Sequence, residues 1–275
     1  MADTLISTRA LIESMLRSDA TIDAAELYDV AGLLGMSDQQ VRLAIKRLVS
    51  EGQFSQTGRG RAALLTATSA TREALEPDRK HVRLMFAQDR GEAPWDGVWH
   101  LAGFAVPESA REVRAALRDR IVALGGAPVQ GGLYVSPHPW ETTLHSAAGA
   151  LGATAFLTTL TSTDLNVGGD QGAAAAARLW PLDDLAAGHR RLAELARTTA
   201  QRVDDAGRAE RIALTVSLVA EFTRAHECDP LLPPELLPEG WIGAQAREAA
   251  HAAWTALAAA ETESQLRLLR WFEAD

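Results

Sequence analysis

Two helical patterns separated only by Gly35, Met36 and Ser37 constrain this chain more than any other feature. In "TIDAAELYDVAGLLGMSDQQVRLAIKRLVSEG", Leu27, Val30, Ala31 and Leu34 fall at i, i+3, i+4 and i+7, the spacing that lines one face of an α-helix. Asp23 stands where an N-cap side chain accepts a backbone N–H, and Glu26 follows three residues on as in a capping box. Gly35 can take the left-handed conformation that ends a helix. Ser37 then caps a second helix whose buried stripe is Val41, Ala44, Ile45 and Leu48. Helix, short glycine-containing turn, helix is the plan of a helix-turn-helix.

The open face of the second helix carries the chemistry. At about 100° per residue, Gln39, Leu43 and Lys46 lie opposite the stripe, flanked by Gln40, Arg42 and Arg47. The chain has a net charge of −9, yet its charge is segregated. Residues 1–38 hold seven acids and two bases, whereas residues 39–72 hold six bases and only Glu51 as an acid. An acidic whole argues against indiscriminate polyanion binding, and a local basic strip suits one polyanion held in one orientation. The second helix of such a unit puts its N-terminal half into the major groove. There glutamine reads adenine edges, arginine or lysine reads guanine or holds phosphate, and an apolar side chain such as Leu43 meets a thymine methyl. In "EGQFSQTGRGRAALLTAT", two extended runs, Phe54–Gln56 and Ala62–Thr66, flank "TGRGR". This reads as a wing with Arg59 and Arg61 at its tip, suited to a minor groove or a phosphate. Helices are expected over Thr4–Leu16 and Ser69–Glu76 as well. The blander readings of the same face are a solvated helix surface and a protein-contact module.

A chain of 275 residues suits two or three domains, and a boundary is expected near Arg90. "VWHLAGFAVP" reads as a buried strand and "ESAREVRAALRDRIVALGG" as a helix with Val113, Leu117, Ile121 and Leu124 inward. "GAPVQGGLYVSP" reads as a second strand, Thr142–Ala150 as a helix and Ala153–Thr161 as a third strand. That order suggests a ferredoxin-like α/β sandwich. From Leu182 the pattern is helical, with Ala244–Phe272 as a closing helix after the proline-rich "DPLLPPELLPEGW". The expected class is therefore α+β and mainly helical: a winged helix over 1–90, a ferredoxin-like domain over 91–178 and a helical domain over 179–275. The single cysteine, Cys228, excludes an internal disulfide. No secretion signal opens the chain and no apolar run nears the ~18 residues of a membrane span, so a cytoplasmic protein is expected.

Other constellations point to no chemistry. The ligand types in "HECD" (His226–Asp229) do not converge on one helix turn, and no second cluster has metal spacing; no metal or cofactor is expected. Ser136 and His138 sit too close in sequence to suggest a triad unaided. Trp95, Trp99, Trp140, Trp180 and Trp241 read as packing. Arg111, Arg114 and Arg118 share one helix face, which a phosphate-bearing ligand can use but which reads more simply as solvated.

Five stretches resemble the PaaX-type regulators, the phenylacetate-degradation repressor family, and occur in that family's order. They are "VRLAIKRLVSEG", "WDGVWHLAGFAVPE", "LGGAPVQGGLYVSPHP", "LWPLDDLAAGHRRL" and "DPLLPPELLPEGWIGAQAR". The resemblance implies a dimeric repressor without enzymatic activity. Its parts would be a winged helix, a central domain similar to small CRISPR-associated endoribonucleases, and a helical C-terminal domain. It also implies a double-stranded DNA operator and release by a small-molecule effector, typically an aryl-CoA thioester such as phenylacetyl-CoA. The chain departs from the family pattern in three places. Ala105 stands where the pattern often has an acid, which speaks against a nuclease reading of the central domain. Ile242 replaces a common proline. Leu43 and Lys46 replace small polar residues, so a different operator is expected. Neither the effector pocket nor the operator sequence is legible from the residues.

Overall fold

The computed structural model describes residues 6–75, 79–261 and 265–270. Helix α1 (Thr8–Ser14) is capped by Ser7, whose side chain accepts from the Ala10 amide. Strand β1 (Thr21–Asp23) follows, with Ile22 fully buried between two β-branched or polar neighbours. Asp23 ends that strand and caps α2 (Ala24–Leu33): its carboxylate accepts from Glu26 N at 3.0 Å, as its spacing predicts. Gly35 takes φ +76° and turns the chain into α3 (Asp38–Ser50). Strands β2 (Phe54–Thr57) and β3 (Leu64–Ala67) form a hairpin whose connection contains a 3-10 turn at Gly60–Ala62. The sheet order is β1-β3-β2, antiparallel throughout. The second hairpin strand starts two residues later than expected, because Gly60–Ala62 coils before the chain extends. Helix α4 (Ser69–Ala74) is capped by Thr68. Thr4 and Glu76, at the edges of two expected helices, lie outside the described residues.

Helix α5 (Arg79–Asp89) has no counterpart in the expectations. Then β4 (Trp99–Phe104), α6 (Arg111–Ala123), β5 (Ala127–Gln130), β6 (Leu133–Ser136), α7 (Glu141–Ala150) and β7 (Leu157–Ser162) follow. They build an antiparallel sheet of order β5-β6-β4-β7. "GAPVQGGLYVSP" is thus two strands rather than one. Gly131 and Gly132, at φ +50° and +89°, supply a left-handed turn that residues with a Cβ enter at a cost. Side chains alternate across this sheet. Ala102 and Tyr134 join Leu117, Ile121, Trp140, Leu144 and Leu157 in a core on one face. Trp99, Leu101 and Val135 join Trp180, Leu185, Leu232 and Leu236 in a second core on the other.

Helices α8 (Gly172–Leu179), α9 (Leu182–Arg202), α10 (Arg208–His226) and α11 (Ile242–Ala260) complete the chain, with a 3-10 turn at Arg267–Arg270. The long closing helix expected over Ala244–Phe272 ends at Ala260. Leu266 instead pairs with Arg17 as an isolated antiparallel bridge, with Ser18 N donating to Gln265 O at 2.8 Å and Arg267 N to Leu16 O at 3.0 Å. Residues 262–264 and 271–275 lie outside the described residues.

The chain divides into two compact units. One comprises Met1–Asp78, Gly188–Ala225 and Gly243–Asp275; the other comprises Arg79–Ala187 and His226–Ile242. In the first, charge ties α2 to α10 and to Glu261, the residue that follows α11. Glu26 accepts from Arg17 and from Arg208, each at 3.0 Å. Arg208 also reaches Glu261 at 3.3 Å, and Arg211 reaches the same carboxylate at 2.7 Å. Glu261 is buried, so two guanidiniums supply what water would otherwise provide. In the second unit, the Leu231 carbonyl accepts from Gln88 at 3.0 Å and from His138 at 2.7 Å, although Leu231 itself stands at φ +51°.

Candidate nucleic-acid interface

Helix α3 packs one side on its unit and leaves the other side open. Ser37 Oγ accepts from Gln40 N, and Gln40 Oε1 accepts from Ser37 N at 2.8 Å, closing a capping box at the helix start. Val41, Ile45 and Leu48 are buried beneath it, as the spacing predicts. Gln39, Arg42, Leu43, Lys46 and Arg47 are exposed along the opposite side. Leu43 is 59% exposed, an apolar side chain left open amid cations and amides rather than folded into the core.

The eight candidate residues differ in what already holds them. Gln39, Arg42, Lys46 and Arg59 have no hydrogen-bond or ion-pair partner among the described residues. Gln40 gives its carboxamide oxygen to the capping box. Arg47 pairs with Glu51 at 2.7 Å, one turn on. That hydrogen bond, with Arg9 at 3.4 Å adding charge, holds the Glu51 carboxyl below its usual range. Arg61 is held most firmly. Its Nη1 lies 2.6 Å from Asp29 Oδ1 and its Nη2 lies 3.9 Å from Asp38 Oδ1. The guanidinium carbon lies over the Tyr28 ring, 5.3 Å from its centroid. The Asp29 hydrogen bond raises the affinity of Arg61 for its proton still further. Asp29, Asp38 and Tyr28 carry no local signal for this contact, since Asp29 is 32 positions from Arg61.

Arg59 sits on extended backbone at the hairpin tip. Gly58 precedes it at φ +82°, where a Cβ would lie 2.9 Å from the Ala62 carbonyl oxygen. The tip is therefore shaped by a close backbone approach that glycine alone fits.

The other constellations make contacts of their own. His138 N donates to Ser136 Oγ at 3.0 Å and the His138 ring reaches the Leu231 carbonyl. Burial holds the His138 pKa below its usual value. The contact between the two residues thus runs through the His138 backbone. Trp95, Trp99 and Trp180 pack on one another, with centroids 5.0 and 6.3 Å apart, inside a core. On α6, Arg114 donates to the Val106 carbonyl at 3.1 Å and Arg118 pairs with Asp119 at 2.9 Å. Asp229 accepts from Leu231 N at 2.9 Å. Among the described residues, no helix is long and apolar enough to cross a membrane.

Two family models match the chain. That of the PaaX protein central Cas2-like domain covers residues 92–175, and that of the PaaX-like protein C-terminal domain covers residues 180–264. A solved structure, an uncharacterized protein from Mycobacterium tuberculosis, is 22% identical over 95% of this chain and 100% of that chain, with a TM-score of 0.58. At that identity the likeness concerns the fold alone. No curated protein matches the chain.

Proposed function

The chain belongs to the PaaX-type family, and from that premise we propose that it is a DNA-binding transcriptional regulator. Its reader is a winged helix made by α2, α3 and the β2–β3 hairpin. Neither family match reaches these elements, so the reading rests on one observation: the exposed row Gln39, Arg42, Leu43 and Lys46 on a capped helix whose other side is buried. With the N-terminal half of α3 in the major groove, Gln39 addresses an adenine edge and Leu43 a thymine methyl. Arg42 and Lys46 address guanine or phosphate. Arg59 reaches the minor groove or a phosphate beside it. Gln40 and Arg47 support the helix at its two ends.

The central strands and helices run β-α-β-β-α-β, the ferredoxin-like order. In this reading that domain and the C-terminal helices pair two chains and set the distance between two readers. The regulated operon serves aromatic-acid breakdown of the phenylacetate type, and an acyl-CoA thioester releases the repressor. An effector that prefers a mis-spaced dimer moves it from bound to free when its affinities for the two states differ by about 5.5 kcal/mol.

Nuclease protection on genomic DNA fragments selected by the protein tests this. A dimer of winged helices protects two half-sites about 34 Å apart, centre to centre. A single short footprint, or none, contradicts the paired-reader arrangement.

A further inference from the structure

Position in the sequence makes Arg61 a second DNA contact beside Arg59. Building on the DNA-binding reading above, we infer that Arg61 is instead a positioning residue. It fastens the hairpin turn to α2 so that Arg59 alone projects toward the duplex.

Four observations carry this. First, the Arg61 guanidinium is gripped on three sides, by Asp29 at 2.6 Å, Asp38 at 3.9 Å and the Tyr28 ring at 5.3 Å. A planar fork presents a flat face to the ring and donors in fixed directions to the carboxylate, whereas an ammonium is a compact point charge without that directionality. Second, Tyr28 is 5% exposed, so the ring is a fixed platform set by the core of α2. Third, the chain coils through a 3-10 turn at Gly60–Ala62, and the next residue, Ala63, accepts from Ala24 N at 3.1 Å. Side-chain and backbone ties to α2 thus flank the same turn. Fourth, Arg59 has extended backbone, an exposed side chain and no partner among the described residues. Two arginines two positions apart therefore have opposite circumstances.

The energetics follow the same division. For Arg61 to turn its Asp29-bound Nη1 to a phosphate it must release Asp29, leaving that carboxylate unpaired beside a polyanion. Asp38 lies in the first turn of α3, the part of the helix that enters the groove. An exposed ion pair adds little to global stability, so the contribution of Arg61 is to the path of the turn.

The test holds charge constant while removing the fork. The full chain and its Arg61→Lys, Arg61→Ala, Arg59→Lys and Arg59→Ala variants are titrated against a mixed-sequence DNA duplex over a salt series, followed by fluorescence anisotropy. Arg59→Ala should flatten the slope of log affinity against log salt by about one, while Arg59→Lys should keep the slope, because the charge remains, and lose only what the fork contributed to affinity. Arg61→Lys should lose affinity about as much as Arg61→Ala does, roughly tenfold, because lysine keeps the charge but not the stacked fork. If Arg61→Lys binds as wild type while Arg61→Ala flattens the slope, Arg61 touches phosphate and the inference fails. Hydrogen exchange on the free protein supplies a readout independent of DNA. The Ala63 amide, which donates to the Gly60 carbonyl at 3.2 Å, should exchange about tenfold faster in Arg61→Lys and in Asp29→Asn. Unchanged exchange in both overturns the positioning role even if the wild-type chain binds no DNA, an outcome that would count separately against the proposed function.

Discussion

Replacing Arg42 and Lys46 together by alanine lowers affinity for duplex DNA about a hundredfold at moderate salt and flattens the salt slope by about two. Both side chains are exposed and without an ion-pair partner among the described residues, so neither must abandon a carboxylate to reach a phosphate or a guanine edge. Each phosphate neutralised on B-form DNA contributes about 0.9 to the slope. A direct base contact contributes about 1–3 kcal/mol of discrimination. The fold should survive, because neither residue belongs to the buried stripe Val41, Ile45 and Leu48 and alanine is the strongest helix former. The comparison with Arg47→Ala sharpens the result. Arg47 is already paired with Glu51 at 2.7 Å, and its loss should cost far less. An unchanged gel-shift titration for the double variant removes α3 from the groove.

Gly126→Ala should destabilise the second unit by about 3 kcal/mol, at the upper end of what overpacking costs. The glycine ends the turn after α6, and a Cβ there would lie 2.8 Å from Ile121 Cγ2 and 2.9 Å from the Ile121 carbonyl oxygen, with the Trp140 ring closer still. Ile121 and Trp140 are themselves buried in the core that Leu117, Tyr134 and Leu144 share. An interior this densely packed transmits strain instead of absorbing it. The backbone oxygen cannot swing aside as a side-chain end can. Thermal unfolding followed by circular dichroism should show the transition of this unit lowered by about 10 °C. A shift of only a degree or two would mean that Trp140 relocates cheaply and that this core is looser than its contacts indicate.

Local signals made the helix pair legible. Asp23, Gly35 and Ser37 each act within a few residues of themselves, so their roles follow from spacing, and the structure places each at the helix end expected of it. The stripe on α3 is legible for the same reason. What depends on distant partners was not. Strand β1 is only Thr21–Asp23 and exists because β3 pairs with it, Ile22 opposite Leu65. The C-terminal segment leaves its helix to bridge Arg17 through Leu266, a pairing no periodicity announces. The grip of Asp29 and Tyr28 on Arg61 is equally hidden. Two misses did have a signal. Gly131-Gly132 inside "GAPVQGGLYVSP" is a hairpin turn in plain composition. Val82, Met85 and Phe86 fall at i, i+3 and i+4 within Arg79–Asp89, where α5 forms.

The central claim is that an acidic chain carries one basic face that engages duplex DNA. Its most direct test is the binding constant of the full chain for a duplex it selects from genomic fragments, measured as salt is raised. The account predicts that log affinity falls linearly with log salt, with a slope that deepens by about 0.9 for every phosphate engaged, and that an unrelated duplex binds at least a thousandfold more weakly. Affinity indifferent to salt, or equal for both duplexes, would contradict it.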